Sequence, residues 1–147
     1  MVHRLKADFP ALTFAINGGL ASDEALAEQL AGLDGAMIGR EAYHNPWWLA
    51  RWDALYFGTS PQELSREDIE ETMVDYMERE HARYGTPWPS IARHMLGLRH
   101  GLRGARLWRQ VWSDHHLKDW SALAVMQRAR AAQEAVQAKV ANEPEPV

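Results

Sequence analysis

The sequence predicts an α/β segment followed by an all-α segment. Two short apolar runs, LTFAI at 12–16 and GAMI at 35–38, alternate with helical patterns near the N-terminus. Strands that are apolar throughout, rather than alternating, belong to a parallel sheet covered on both faces. Past Trp52 the strand signals stop, and apolar residues recur at helical spacing instead.

The elements follow in order. The first run ends at Asn17-Gly18-Gly19, and SDEALAEQLAGL then opens with Ser22 as N-cap and acids in its first turn. Leu26, Leu30 and Leu33 share one face of that helix. The second run ends at Gly39-Arg40, after which Asn45 caps a helix with Pro46 at its first position. GTSPQELS reads as a linker, and Ser65-x-x-Asp68 as a capping box. Ile69, Met73, Tyr76, Met77 and Tyr84 recur at core spacing, with Glu67, Asp68, Glu70 and Glu71 on a solvated face. GTPWPS breaks this helix. SIARHMLGLRHG and GARLWRQVW then read as two short helices separated by Gly101 and Gly104. A last Ala/Gln-rich helix runs from about Lys118 to Val140. The expected organisation is an α/β part over 1–52, a linker over 53–64, a helical domain over 65–140 and a disordered tail over 141–147.

Composition narrows the function classes. Apolar residues make up 46% of the 147 positions, enough for a core. Seven Trp residues each demand a packing surface and an acceptor for the indole N–H. The net charge of -4 is unevenly spread. Residues 1–90 hold seven Lys/Arg against fifteen Asp/Glu, whereas 91–120 hold six against two. One basic block in an acidic chain points to a local anionic partner. The chain has no cysteine, which excludes disulfides, cysteine-ligated zinc and a cysteine nucleophile within it. No apolar run approaches the roughly 20 residues that cross a bilayer. MVHRLKADFP lacks the apolar centre of a signal peptide, so a cytoplasmic, non-membrane protein is expected.

Two motifs carry chemistry in the α/β part. INGGL puts two glycines directly after a strand, where bare N–H groups reach a ligand and a following helix N-terminus favours an anion. An ordinary βα turn is the alternative. IGR repeats the arrangement after the next strand and adds Arg40. Consecutive βα loops of this kind match the phosphate site after strands seven and eight of a (β/α)8 barrel. An arginine there adds charge-assisted hydrogen bonds to the phosphate.

The third feature is the basic block itself. In IARHMLGLRHGLRGARLWRQ, Arg93, Arg106 and Arg109 line one face of a helical pair, with Met95, Leu96, Leu98, Leu107 and Trp108 inward. Clustered arginines supply salt-sensitive phosphate contacts to RNA, and a solvated helix face is the alternative. His115, His116 and Asp119 lack a spaced third ligand and read as surface residues, so no metal site is assigned. His44 beside Asn45 is either a local cap or a ligand contact.

LTFAINGGL, LDGAMIGREAYHNPWWL and RHMLGLRHGLRGARLWR together resemble the tRNA-dihydrouridine synthases, the A-type subfamily in particular, over nearly the whole chain to about residue 113. The resemblance implies the last two βα units of a flavin-binding TIM (β/α)8 barrel, followed by a C-terminal helical bundle domain that grips tRNA. The implied activity is NADPH-dependent reduction of uridine to 5,6-dihydrouridine in the tRNA D-loop, at positions 20/20a, through FMN. It implies that Asn17, Gly18, Gly19, Gly39 and Arg40 hold the FMN phosphate. It also implies that Arg106 and Arg109, and with them Arg93, contact tRNA. Arg99 stands where the family pattern has an aromatic and Arg103 where it has proline. The family's general acid is a cysteine on an earlier barrel loop, so no catalytic residue falls in this chain. The expectation is therefore a C-terminal portion that lacks the N-terminal barrel strands, leaves open sheet edges and is not competent alone. A freestanding, non-catalytic RNA-binding helical module is the alternative.

Overall fold

A computed structural model describes residues 1–141. The chain is mostly helical with one small parallel sheet, and it divides into two compact units, the second beginning at His44.

The first unit runs α1 (Val2–Asp8), β1 (Ala15–Asn17), α2 (Asp23–Leu30), β2 (Gly35–Met37) and the start of α3 (Arg40–His44). The strands are parallel, with Ala15 opposite Gly35, Ile16 opposite Ala36 and Asn17 opposite Met37. LTFAI is thus strand only at its end, and Leu12 is exposed. The Ser22 hydroxyl accepts from the Ala25 N–H at 3.2 Å and caps α2 as expected. Leu26 and Leu33 are buried while Leu30 is half-buried. Asp34 ties the entry of the two strands together. Its carboxylate accepts from the Phe14 N–H at 2.7 Å and from Lys6 Nζ at 3.0 Å, and its own N–H donates to Phe14 O at 3.0 Å. The Phe14 N–H, with Lys6 beside it, holds the Asp34 carboxyl below its ordinary pKa.

The second unit begins with a 3-10 turn over Pro46–Arg51 and continues into α4 (Trp52–Phe57). Pro46 does sit at the first helical position, but the Asn45 side chain makes no cap hydrogen bond and the first turn is 3-10. The expected linker over 53–64 therefore begins inside a helix, and 58–65 carry no regular structure. The long helix α5 (Arg66–Tyr84) starts at a complete capping box, Ser65 and Asp68 each accepting from the other's backbone N–H. Gly85 ends it at a φ of 70°.

Beyond α5 the chain forms the single-turn α6 (Pro89–Ala92), a run of turns, α7 (Ala105–Trp112), a 3-10 turn at His115–Leu117 and α8 (Ala122–Ala141). Of the two short helices expected over the basic block, the first is reduced to the single turn of α6 and the second is α7, with Gly101 and Gly104, at φ of 77° and 78°, between them as expected. The last helix starts four residues later than expected, after the 3-10 turn. Of the tail expected over 141–147, Ala141 is the last helical residue and the rest lies outside the described residues. Val74, Met77, Trp88, Met95, Leu98, Trp108, Trp112, Val125 and Ala129 join in one core. Tyr76, Tyr84 and Leu107, read as core from their spacing, are exposed instead.

Candidate functional site

The first candidate lies at the carboxyl ends of β1 and β2. Because Asn17 pairs with Met37, the Gly18-Gly19 loop and the Ile38-Gly39-Arg40 loop leave the sheet side by side. Gly18 and Gly19 hold φ of 121° and 70°, a conformation that favours glycine, and a Cβ on either would meet nothing within 4 Å. Arg40 opens α3, is exposed, and has no hydrogen-bond or ion-pair partner among the described residues. Glycine backbone and a guanidinium following adjacent parallel strands are donor types that a phosphate accepts from. The loops fit a phosphate-bearing group.

The second candidate is α7. Arg106 and Arg109 are three residues apart on its exposed side, while Ala105, Trp108 and Trp112 bury the other. Arg93 is also exposed, but it caps α6 rather than sharing α7, and its Nε donates to His94 Nε2 at 3.0 Å. The structure thus brings two of the three arginines onto one helix.

What fixes α7 was not read from the sequence. Glu70, assigned above to a solvated face, is fully buried. Its Oε1 accepts from Trp108 Nε1 at 2.6 Å and Trp112 Nε1 at 3.1 Å. Its Oε2 accepts from Arg99 Nη2 and from Arg130 Nε on α8, both at 2.8 Å. Arg99 also meets Glu67 at 2.8 Å, and Arg130 meets Glu71 at 2.8 Å. Burial disfavours the Arg130 cation, but its hydrogen bonds to Glu70 and Glu71 outweigh that and hold its pKa above the ordinary value. Burial also opposes ionisation of Glu67, yet a backbone hydrogen bond and Arg99 hold its pKa below the ordinary value. Arg99 is consequently an internal anchor rather than added surface charge.

The entry to α7 is equally constrained. Gln133 Nε2 on α8 donates to Arg103 O at 3.0 Å. A Cβ on Gly104 would lie 2.8 Å from Gln133 Cγ and 2.9 Å from Gln133 O. The glycine of GAR-x-WR is required twice, by its φ and by this approach.

A sequence signal for the buried anchor existed. Glu70, Val74 and Met77 fall at i, i+4 and i+7 on one stripe, and Trp108 and Trp112 needed an acceptor. Elsewhere, His116 pairs with Asp114 at 3.0 Å, and no three His, Asp or Glu residues are placed to hold a metal among the described residues. Nor is any described helix long and apolar enough to cross a membrane.

Comparison with known proteins gives a consistent picture. The sequence profile of the dihydrouridine synthase family matches residues 1–138. A tRNA-dihydrouridine(20/20a) synthase of Shewanella oneidensis is 43% identical over 128 residues, 87% of this chain and 38% of the relative. Those of Vibrio cholerae and Escherichia coli K12 are also 43% identical, over 129 and 128 residues, covering 39% and 37% of the relatives. The chain thus spans under two-fifths of the length of these relatives.

Proposed function

This chain belongs to the dihydrouridine synthase family, and we propose that it supplies the cofactor-phosphate loops and the RNA-binding helices of a tRNA-dihydrouridine(20/20a) synthase. Residues 1–52 then correspond to the last two βα units of the (β/α)8 barrel, and 65–140 to the helical tRNA-binding domain, joined through 53–64. Its setting is the cytoplasm.

In this reading Asn17, Gly18, Gly19, Gly39 and Arg40 hold the phosphate of FMN, the loops giving N–H groups and Arg40 a charge. Bound flavin, once reduced by NADPH, would supply the hydride, and an acid outside this chain the proton, that together saturate the uracil C5–C6 bond. No catalytic residue is assigned to this chain. It holds and orients, while the remaining barrel supplies the chemistry.

The observation that carries the RNA role is α7. Its apolar face is locked onto Glu70 through two indole N–H groups, and its outer face presents Arg106 and Arg109. Held at fixed spacing, these cations meet successive RNA phosphates at little entropic cost. Arg93 extends the basic surface.

The test is tRNA affinity of the chain carrying Arg106→Glu with Arg109→Glu, measured at low salt. We expect a fall of at least about tenfold, since each phosphate contact contributes roughly 1 kcal/mol or more. Unchanged affinity sinks the RNA role. A module that binds tRNA but retains no FMN through gel filtration would favour the freestanding RNA-binding reading instead.

A further inference from the structure

We infer that Arg103, on the turn leading into α7, is a third phosphate contact for RNA beside Arg106 and Arg109. This rests on the RNA role proposed above for α7, and it adds to that role a residue outside the helix.

The charge pattern singles the residue out. The chain has twenty acids, yet residues 81–113 contain neither Asp nor Glu. Six arginines fall in that stretch: Arg83, Arg93, Arg99, Arg103, Arg106 and Arg109. Three of them are engaged within the protein. Arg83 lies 5.0 Å from the centroid of the Tyr84 ring, Arg93 donates to His94, and Arg99 is buried against Glu67 and Glu70. Arg103, Arg106 and Arg109 are exposed and have no hydrogen-bond, ion-pair or ring partner for their side chains among the described residues. Even Glu134, which follows Gln133 on α8, pairs with none of them. A surface that meets only water mixes both signs of charge, whereas this one carries a single sign.

The backbone at Arg103 is fixed. Its carbonyl accepts from Nε2 of the buried Gln133 at 3.0 Å. The next residue, Gly104, approaches Gln133 so closely that a Cβ would lie 2.8 Å from Gln133 Cγ. On the other side, the Leu102 N–H donates to Arg99 O at 3.1 Å, and Arg99 is itself held by Glu70. Only the Arg103 side chain is therefore left to be ordered when an anion arrives. Three residues separate it from Arg106, which keeps their Cα atoms within about 11 Å.

Helix stability does not call for these cations. Arg103 and Arg106 stand at the N-terminal end of α7, where the helix dipole disfavours positive charge, and the first turn holds no acid to offset them. A single protein carboxylate would pair with one guanidinium and leave the others as they are. Three such groups within seven residues match the repeated charge of a nucleic-acid backbone.

The test is the salt dependence of tRNA binding, measured between about 50 and 200 mM KCl for the chain and for Arg103→Gln, Arg103→Lys and Arg79→Gln. Arg103→Gln should weaken binding about fivefold at low salt. It should also lower the slope of log affinity against log salt by about 0.7–0.9, as one lost phosphate contact does. Arg103→Lys should keep the slope, because the charge remains. Arg79→Gln removes an exposed charge from the acid-rich α5 and should leave the slope unchanged. An unchanged slope for Arg103→Gln overturns the proposal. An equal drop for Arg79→Gln overturns it too, by assigning the effect to net charge. Loss of fold by circular dichroism, or an equal drop for Arg103→Lys, would make the side chain a support of the turn and likewise overturn it. Failure of the wider reading looks different. If Arg106→Glu with Arg109→Glu leaves tRNA affinity unchanged, α7 carries no RNA and Arg103 falls with it. If that pair weakens binding while Arg103→Gln does not, the inference about Arg103 fails alone.

Discussion

Arg99 donates from Nη2 to Glu70 Oε2 at 2.8 Å, and both side chains are almost wholly buried. The bond joins α5 to the turns preceding α7, while Arg130 brings α8 to the same oxygen at 2.8 Å. Buried charges are costly unless paired and hydrogen-bonded. Here one carboxylate accepts from two guanidiniums and two indoles, so α5, α7 and α8 converge on a single side chain.

Glu70→Ala should accordingly be among the most damaging substitutions in the second unit. It leaves Arg99 without its buried acceptor and strips two indole N–H groups of theirs. A loss of about 3–5 kcal/mol is expected from urea unfolding. Arg99→Met should cost less, because Glu70 keeps Arg130 and both indoles. Equal losses, or a loss below about 1 kcal/mol for Glu70→Ala, would show that the cluster is not the anchor described.

Gly104→Ala and Gly85→Ala separate two reasons for a glycine. Their φ values, 78° and 70°, are alike, but only at Gly104 would a Cβ strike Gln133. Gly85→Ala should cost about 1 kcal/mol, from backbone strain alone. Gly104→Ala adds overpacking of about 1–3 kcal/mol. Thermal unfolding should therefore rank them clearly, with Gly104→Ala also weakening tRNA binding by displacing α7.

Much of this was legible beforehand, for a physical reason. The caps at Ser22 and Ser65, the parallel strand pair and the inward Trp108 depend on local spacing, which a sequence displays directly. Glu70 was misread because an acid among acids, Glu67, Asp68 and Glu71, has the appearance of a solvated row. Only its partners, at positions 99, 108, 112 and 130, identify it as buried, and pairings that distant leave no periodic trace. Tyr76 and Leu107 failed for the opposite reason: helical spacing states which side a residue occupies, not how far the neighbouring element reaches. The two βα loops show themselves in the sequence through their glycines, Gly18, Gly19 and Gly39.

The start of α5 should lose stability in acid. The Ser65 hydroxyl and then the Ser65 N–H hydrogen-bond the Asp68 carboxylate and hold its pKa below the ordinary 3.8. The contribution is therefore present above pH 3.8 and disappears as pH falls through the lower folded-state value. Ser65→Ala should reduce helix stability near neutral pH by about 1 kcal/mol. Its difference from the unsubstituted chain should shrink as Asp68 protonates. A difference that widens below pH 4 in an acid titration followed by circular dichroism would contradict this assignment.

Arg40 offers a test of the loops that separates phosphate from ring. Arg40 has no partner among the described residues, so Arg40→Ala breaks no internal bond. FMN affinity should fall about tenfold or more with the loss of a charge-assisted hydrogen bond. Riboflavin, which lacks the phosphate, should bind the variant and the parent chain alike. A parallel loss of riboflavin binding would mean that Arg40 supports the loop rather than the phosphate.

Hydrogen exchange should reveal the two units as unequal. In the first, Leu26 and Leu33 are the buried apolar residues, and the strands are three residues each. In the second, indoles, methionines and leucines from α5 to α8 close around one core with the Glu70 cluster inside it. Amide protection reflects the free energy of local opening, which follows burial and cooperative contact. The amides of β1 and β2 should therefore exchange at least about a hundredfold faster than those of Val74–Met77, a gap of roughly 3 kcal/mol. Addition of whatever completes the sheet should close that gap, because a strand edge paired on both sides cannot open alone. Equal protection across both units in the isolated chain would mean that the first is already complete as it stands.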